Sequence, residues 1–215
     1  MSGRSFNELF RNLPLVGILR GFRASEIERI VTACIAGGLT NIEITMNTDG
    51  AAAQIRSAIA AAEGRMNVGA GTVTTCRRLD AAMEAGASFI VTPAVIPEVI
   101  DECVSRTLPV IPGAFSPTEV WSAWEAGATM VKLFPAELGG PAYAKSLKGP
   151  FPDVELIATG GVSLKTLRNY LEAGVEGFGL GSSICTRERV DAGDWEWMTE
   201  QVRKHREIYE AFNGS

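Results

Sequence analysis

The chain has 215 residues, a formal net charge of −5, and 46 % apolar against 21 % charged residues, the profile of a soluble globular protein able to bury a large core. The acidic balance and the absence of a basic run argue against a nucleic-acid partner. No apolar run reaches the roughly 18 residues of a membrane span, and the start, with Ser2, Arg4, Asn7 and Glu8, has no signal-peptide pattern; the expected compartment is the cytoplasm, with no membrane partner.

Short apolar runs alternate with helical stretches along the whole length. A short helix near Phe6 to Arg11 precedes the first strand, Leu15–Leu19, which ends at Arg20. A helix starts near Ser25, with Glu28 three residues later as a capping box, and stops at Gly37-Gly38. The second strand is Asn41–Thr45, its helix about Gly50 to Ala62; the third is Met66–Ala70, followed by Gly71-Thr72 and a helix from about Thr75 to Ala85. Phe89–Val91 is the fourth strand, stopped by Thr92-Pro93, with a helix from about Pro97 to Ser105. Leu108–Ile111 is the fifth, ending at Pro112-Gly113, and Ser116-Pro-Thr-Glu119 opens the next helix with a proline and a capping-box glutamate. The sixth strand is Thr129–Phe134, followed by a helix from Pro141 to Leu147. Val154–Ala158 is the seventh, ending in Thr159-Gly160-Gly161; Ser163 caps its helix, which stops at Gly174. Gly177–Leu180 is the eighth, then Gly181-Ser182-Ser183 and a last helix over Trp195 to Phe212.

Four helix ends repeat one pattern, at Gly37, Gly86, Gly127 and Gly174, each about two strand–helix units after the last. Strict alternation implies parallel strands. Eight units in a chain of this length predict a single-domain (β/α)8 TIM barrel over residues 1–215, with the open doubly wound sheet as the alternative. The active site of such a barrel lies at the C-terminal ends of its strands.

Those ends hold polar residues after apolar strands. The lysine of the sixth strand, Lys132, is costly to bury unless it is paired or used. It is either half of a structural ion pair or an amine whose neutral form attacks a ketone to give a Schiff base. Glu43, between Ile42 and Ile44, is either its structural partner, or that of Arg20, or a general acid–base group. With His205 the only histidine, close to the C-terminus, a carboxylate is the best available proton carrier, and neither a histidine-based triad nor a His-rich metal site is expected. Arg20 is a plain surface arginine or a fork for a substrate carboxylate. Gly160-Gly161 and Gly181-Ser182 end the seventh and eighth strands, where barrels bind phosphate through backbone N–H groups. Thr72, Thr159 and Ser182 are turn or cap residues when each is taken alone. Cys34, Cys76, Cys103 and Cys185 form no C-x-x-C pair and read as reduced core residues.

Ile42–Thr45, Gly69–Val73, Val91–Pro93, Ile111–Gly113, Val131–Ala136, Ala158–Val162 and Gly179–Ser182, taken together and in order, resemble the 2-keto-3-deoxy-6-phosphogluconate (KDPG) aldolases, also called 4-hydroxy-2-oxoglutarate aldolases. The 2-keto-3-deoxy-6-phosphogalactonate enzymes are close relatives. The match runs from the first strand to the eighth. The resemblance implies a metal- and cofactor-independent class I aldolase, a lyase of carbohydrate metabolism of the Entner–Doudoroff type, usually a homotrimer, whose partner is a small phosphorylated keto acid. It implies Lys132 as Schiff-base lysine and Glu43 as acid–base residue. Thr72, Pro93 and Phe134 would line the pyruvate half, Arg20 would clamp the carboxylate, Thr159 would meet the hydroxylated part, and Gly160, Gly161, Gly181 and Ser182 would hold phosphate. The chain mixes two signatures: Asn47 stands where many gluconate-type members have arginine, and Arg20 suits the galactonate type, whereas Thr159 is the gluconate-type residue. Thr159 would touch the distinguishing hydroxyls, so the expected substrate is the phosphogluconate derivative, cleaved to pyruvate and glyceraldehyde 3-phosphate, with 4-hydroxy-2-oxoglutarate as a second substrate. The alternatives are the phosphogalactonate derivative, a non-covalent phosphosugar isomerase, epimerase or decarboxylase, and a phosphate-ligand-binding barrel.

Overall fold

The structure, a computed structural model, describes residues 6–214; Ser2 and Arg4, from which the start was read, lie outside them. The chain runs α1 (Glu8–Asn12), β1 (Leu15–Leu19), α2 (Ala24–Ala36), β2 (Asn41–Thr45), α3 (Ala51–Ala62), β3 (Asn67–Gly71), α4 (Cys76–Glu84), β4 (Ile90–Val91), α5 (Pro97–Ser105), β5 (Val110–Ile111), β6 (Gly113–Ala114), α6 (Pro117–Glu125), β7 (Val131–Leu133), α7 (Ala136–Lys148), β8 (Leu156–Thr159), α8 (Leu167–Glu172), β9 (Gly177–Leu180), α9 (Arg187–Asp191) and α10 (Trp195–Asn213).

All strand pairs are parallel, in the order β5-β4-β3-β2-β1-β9-β8-β7-β6. The two ends of that order are consecutive in sequence, separated only by Pro112. Carbonyls of this segment reach both ways: Pro109 and Ile111 accept from the amides of Ile90 and Thr92, while Val110, Pro112 and Ala114 accept from those of Thr129, Lys132 and Phe134. β5 and β6 are therefore one barrel strand, interrupted in name because proline has no N–H to give. The ring closes as the (β/α)8 barrel that the alternation predicts. The expected stop at Pro112-Gly113 was too early, because a proline can sit inside a strand when its carbonyl still accepts.

Period-two alternation sorts the strand side chains into two cores. Leu15, Leu19, Ile42, Ile44, Val131, Leu133, Leu156 and Ala158 face outward into the layer between barrel and helices. Val16, Val91, Ile111, Met130 and Ile157 face inward and fill the barrel, together with Phe6, Phe10 and Phe89. The Phe10 and Phe89 rings meet edge to face with centroids 5.8 Å apart. So α1, capped by the Asn7 side chain, plugs the bottom of the barrel with aromatic rings. Above this floor the inward positions change character: two residues on from Met130 stands Lys132, and two on from Ile157 stands Thr159.

Several helix starts differ from expectation. The capping carboxylate of α2 is Glu26 rather than Glu28, and it accepts from the Arg23 amide at 2.7 Å. α7 starts at Ala136 and is two helical pieces meeting at Gly140, whose φ of 68° no helix contains; Pro141 opens the second piece. Ser163 begins a turn, and α8 follows only after Thr166. α9 was not anticipated. Cys34, Cys103 and Cys185 are buried free thiols as expected, but Cys76 is exposed, because it opens α4 next to its cap Thr75. Among the described residues no helix is long and apolar enough to cross a membrane.

Candidate active site

Lys132 lies on β7 with its amide bonded to Pro112 and its backbone paired to Gly113 and Ile157. Its side chain is buried, with Nζ 3.9 Å from Glu43 Oε1. That separation is an ion pair but too long for a direct hydrogen bond. Nζ also lies 5.2 Å from the centroid of the Phe134 ring. Phe134 is two residues on along the same strand and 38 % exposed, a large apolar side chain left open at the mouth of the barrel.

Glu43 is almost fully buried on β2, and its Oε1 has no hydrogen-bond partner. Burial raises its carboxyl above the ordinary value of 4.5, and the charges of Lys132 and Arg20 oppose that rise. Gly71 on β3 leaves room for the carboxylate: a Cβ at that position would sit 2.6 Å from Glu43 Oε1. Beneath the pair is a void of ≈ 10 Å³ lined by Glu43, Lys132, Thr159 and apolar neighbours, room for about one water molecule.

Above it opens a cleft of ≈ 400 Å³, lined by Arg20, Lys132, Phe134, Thr159, Gly160, Gly161, Gly181 and Ser182 among others. Eight of the sequence-predicted residues thus converge on one space. Gly160 and Gly161 have consecutive positive φ values of 94° and 73°, a backbone shape open to glycine and costly for other residues. Arg20 reaches across the mouth, donating through Nη1 to Asn47 Oδ1 and through Nη2 to Thr72 Oγ1, both at 3.4 Å. Thr72 itself has a φ of 56°. It touches the cleft through Arg20 rather than lining it. Pro93 does not line it either; its carbonyl packs on Gly113, where a Cβ would come within 2.4 Å.

The cleft also contains residues that sequence reasoning passed over. Glu137, in the first turn of α7, faces Gly161. Ser183 also lines the cleft, and its hydroxyl is buried and unpartnered. Ile18, Val162 and Gly179 complete the wall, and Ser163, expected to be only a cap, is there as well. The only signal for them was proximity to a strand end. His205 is far from this chemistry in kind: it is fully buried on α10, its Nδ1 is 2.7 Å from the Gln201 carbonyl, and burial holds its pKa below 6.5.

A closed parallel barrel whose upper interior holds a buried lysine and carboxyl, under a polar cleft at the C-terminal strand ends, defines a (β/α)8-barrel enzyme of the lysine–carboxylate kind. The chain belongs to the KDPG and KHG aldolase family, whose model matches residues 6–201. It is 38 % identical over 203 residues to the 2-dehydro-3-deoxy-phosphogluconate aldolase of Pseudomonas aeruginosa, covering 94 % of this chain and 89 % of that one. It is also 38 % identical over 173 residues to the 2-dehydro-3-deoxy-6-phosphogalactonate aldolase of Escherichia coli, covering 80 % and 84 %. Among solved structures, KDPG aldolase from Legionella pneumophila, with pyruvate captured as a covalent carbinolamine, superposes with a TM-score of 0.83 at 28 % identity over 92 % of this chain and 96 % of that one.

Proposed function

We propose that this chain is a class I aldolase that cleaves 2-keto-3-deoxy-6-phosphogluconate to pyruvate and glyceraldehyde 3-phosphate through a Schiff base on Lys132, and that it also accepts 4-hydroxy-2-oxoglutarate. The observation that carries the reading is the buried Lys132 amine 3.9 Å from a buried carboxyl whose Oε1 has no hydrogen-bond partner among the described residues. With the carboxyl beside the amine and a void for about one water beneath the pair, protons can pass to and from the reacting atoms directly or through a water. The carbinolamine held by the Legionella relative supports the covalent route.

The neutral Lys132 amine attacks the C2 ketone. Proton transfer through Glu43 and one water turns the carbinolamine into a protonated imine with loss of water. Glu43 then takes the proton of the C4 hydroxyl, the C3–C4 bond breaks, and its electrons pass into the imine to leave an enamine. Glyceraldehyde 3-phosphate departs, the enamine is protonated at C3, and water releases pyruvate. Arg20, steadied by Thr72 and Asn47, clamps the carboxylate, and Phe134 borders the pyruvate half, while Pro93 acts from behind the wall by packing on Gly113. Thr159 meets the hydroxyls. The amides of Gly160, Gly161, Gly181 and Ser182 take the phosphate, which glycine lets approach the backbone. A substrate carrying carboxylate and phosphate does not cross a bilayer unaided, which supports a cytoplasmic enzyme of sugar-acid breakdown of the Entner–Doudoroff type. The family resemblance supports a homotrimer.

Borohydride reduction in the presence of pyruvate tests the covalent step. A stable mass adduct on Lys132 is expected; no adduct at saturating pyruvate would leave a non-covalent isomerase or a phosphate-binding barrel instead. A second substrate reading, the phosphogalactonate epimer, rests on Arg20 standing opposite Asn47 and on the equal identity to the Escherichia coli enzyme. Cleavage rates on the two epimers decide between them: a faster galactonate rate would overturn the gluconate assignment.

A further inference from the structure

The two ends of the cleft hang from adjacent strands. β1 leads into Arg20–Arg23, and β9 leads into Gly181–Ser183 and on to α9. Among the described residues no backbone hydrogen bond past the last paired residues ties these loops together, but two side chains do: Arg23 donates to Asp191 of α9 at 3.2 Å, and Arg187 makes the larger set of contacts. Arg187, the first residue of α9, donates through Nη2 to the Gly21 carbonyl at 2.9 Å and through Nη1 to both oxygens of Glu26 at 2.8 and 3.0 Å. The same Nη1 lies 3.2 Å from Asp191, and the guanidinium carbon sits 4.7 Å from the centroid of the Phe22 ring. Gly21 and Phe22 immediately follow Arg20.

The other side of the clamp is as full. Glu26 is buried and accepts from Arg23 through both its amide and its side chain. Burial raises its carboxyl, but hydrogen bonds from Arg187 and Arg23 outweigh that and hold it at about 2. The Gly21 amide donates to Thr48 Oγ1, and the Phe22 carbonyl accepts from Gln54. The loop after β1 is therefore pinned by Thr48 and Gln54 on one flank and by α9 on the other, through Arg187 and the Arg23–Asp191 pair. Neither Arg187 nor Glu26 lines the cleft.

We propose that Arg187 is a positioning residue: it braces the loop carrying Arg20 against the segment that follows Gly181–Ser183, and so sets the distance between the carboxylate end and the phosphate end of the substrate site. The proposal rests on the reading of Arg20 as the carboxylate clamp. A flat fork that engages a carboxylate and a carbonyl together fixes orientation in a way a single ammonium does not. An ordinary surface ion pair would add only to stability.

The test is a mutant cycle with steady-state kinetics on the phosphorylated keto acid, with thermal denaturation run on each variant. Arg187→Ala and Arg187→Lys are expected to raise KM about tenfold while kcat changes less than about twofold, the signature of lost ground-state binding. In an Arg20→Ala background, adding Arg187→Ala should raise KM less than about twofold further, because the brace acts through Arg20. Arg168→Ala, which removes an exposed pair with Glu172, should leave both constants at wild type. Equal KM effects of Arg187→Ala with and without Arg20 would overturn the brace. A raised KM in Arg20→Ala beside a wild-type KM in Arg187→Ala would overturn the brace alone, whereas a wild-type KM in Arg20→Ala would overturn the clamp reading and the brace with it. If Arg187→Ala does not fold, Arg187→Lys carries the same comparisons.

Discussion

Glu43 is the residue whose surroundings say most about rate. It is buried, one oxygen is unpartnered, and its carboxyl is raised above 4.5 because burial outweighs the nearby cations. As the proposed base it must be ionised, so activity should fall as pH drops through that raised pKa. The acid limb of kcat/KM is expected above 4.5 in the wild type and absent in Glu43→Gln, whose rate should drop by about 10²- to 10⁴-fold; a pH–rate profile of both proteins checks this. Lys132 and Glu43 were legible in the sequence because a charged residue in an apolar strand has few structural reasons to be there. Glu137 and Ser183 were not. Their place in the cleft comes from loops converging out of different strands, and locally only their closeness to a strand end marks it.

The helices and strands show the same division between local and distant causes. α6 was readable from four residues. The Ser116 hydroxyl accepts from the Glu119 amide, and Glu119 Oε2 accepts from the amides of Phe115 and Ser116 at 3.0 and 2.7 Å. These hydrogen bonds hold the Glu119 carboxyl below its ordinary value. The cap also fixes the end of β6, since the Phe115 carbonyl accepts from the Tyr143 hydroxyl at 2.7 Å. Glu119→Ala is expected to cost about 1 kcal/mol in chemical denaturation with little change in kcat. α2 was misplaced by two residues because Ser25 and Glu28 offer the right letters, while Glu26 is the carboxylate that Arg23 and Arg187 hold. That choice is made by a residue 161 positions away in sequence. The kink in α7 was half visible: Pro141 marked the second piece, but the first piece, Ala136 to Gly139, was not marked.

At the scale of the whole molecule, the barrel is filled from below by rings and topped by charge. Phe10 is 1 % exposed and packs inside the strands with Phe6, Phe89 and Met130. Phe10→Ala should cost roughly 3–5 kcal/mol, the range for emptying an aromatic site in a core, read from the midpoint shift in denaturant. The alternation of apolar runs made the barrel legible, since its period depends on local sequence. Eight such units in this length also implied its closure; what was missed is the extent of the fifth barrel strand, because Pro112 looked like a stop. That proline has one more consequence. Residues along a strand direct N–H and C=O to the same neighbour, and the Pro112 carbonyl goes to Lys132. The rung missing for want of an N–H is thus one between the fifth barrel strand and β7. The strand that carries Lys132 is laced into the ring one stitch short, so local breathing should begin there. Amide hydrogen exchange at Lys132 and Phe134 should outpace that at Ile42 and Ile44, which sit in an unbroken ladder on the other side of the ring.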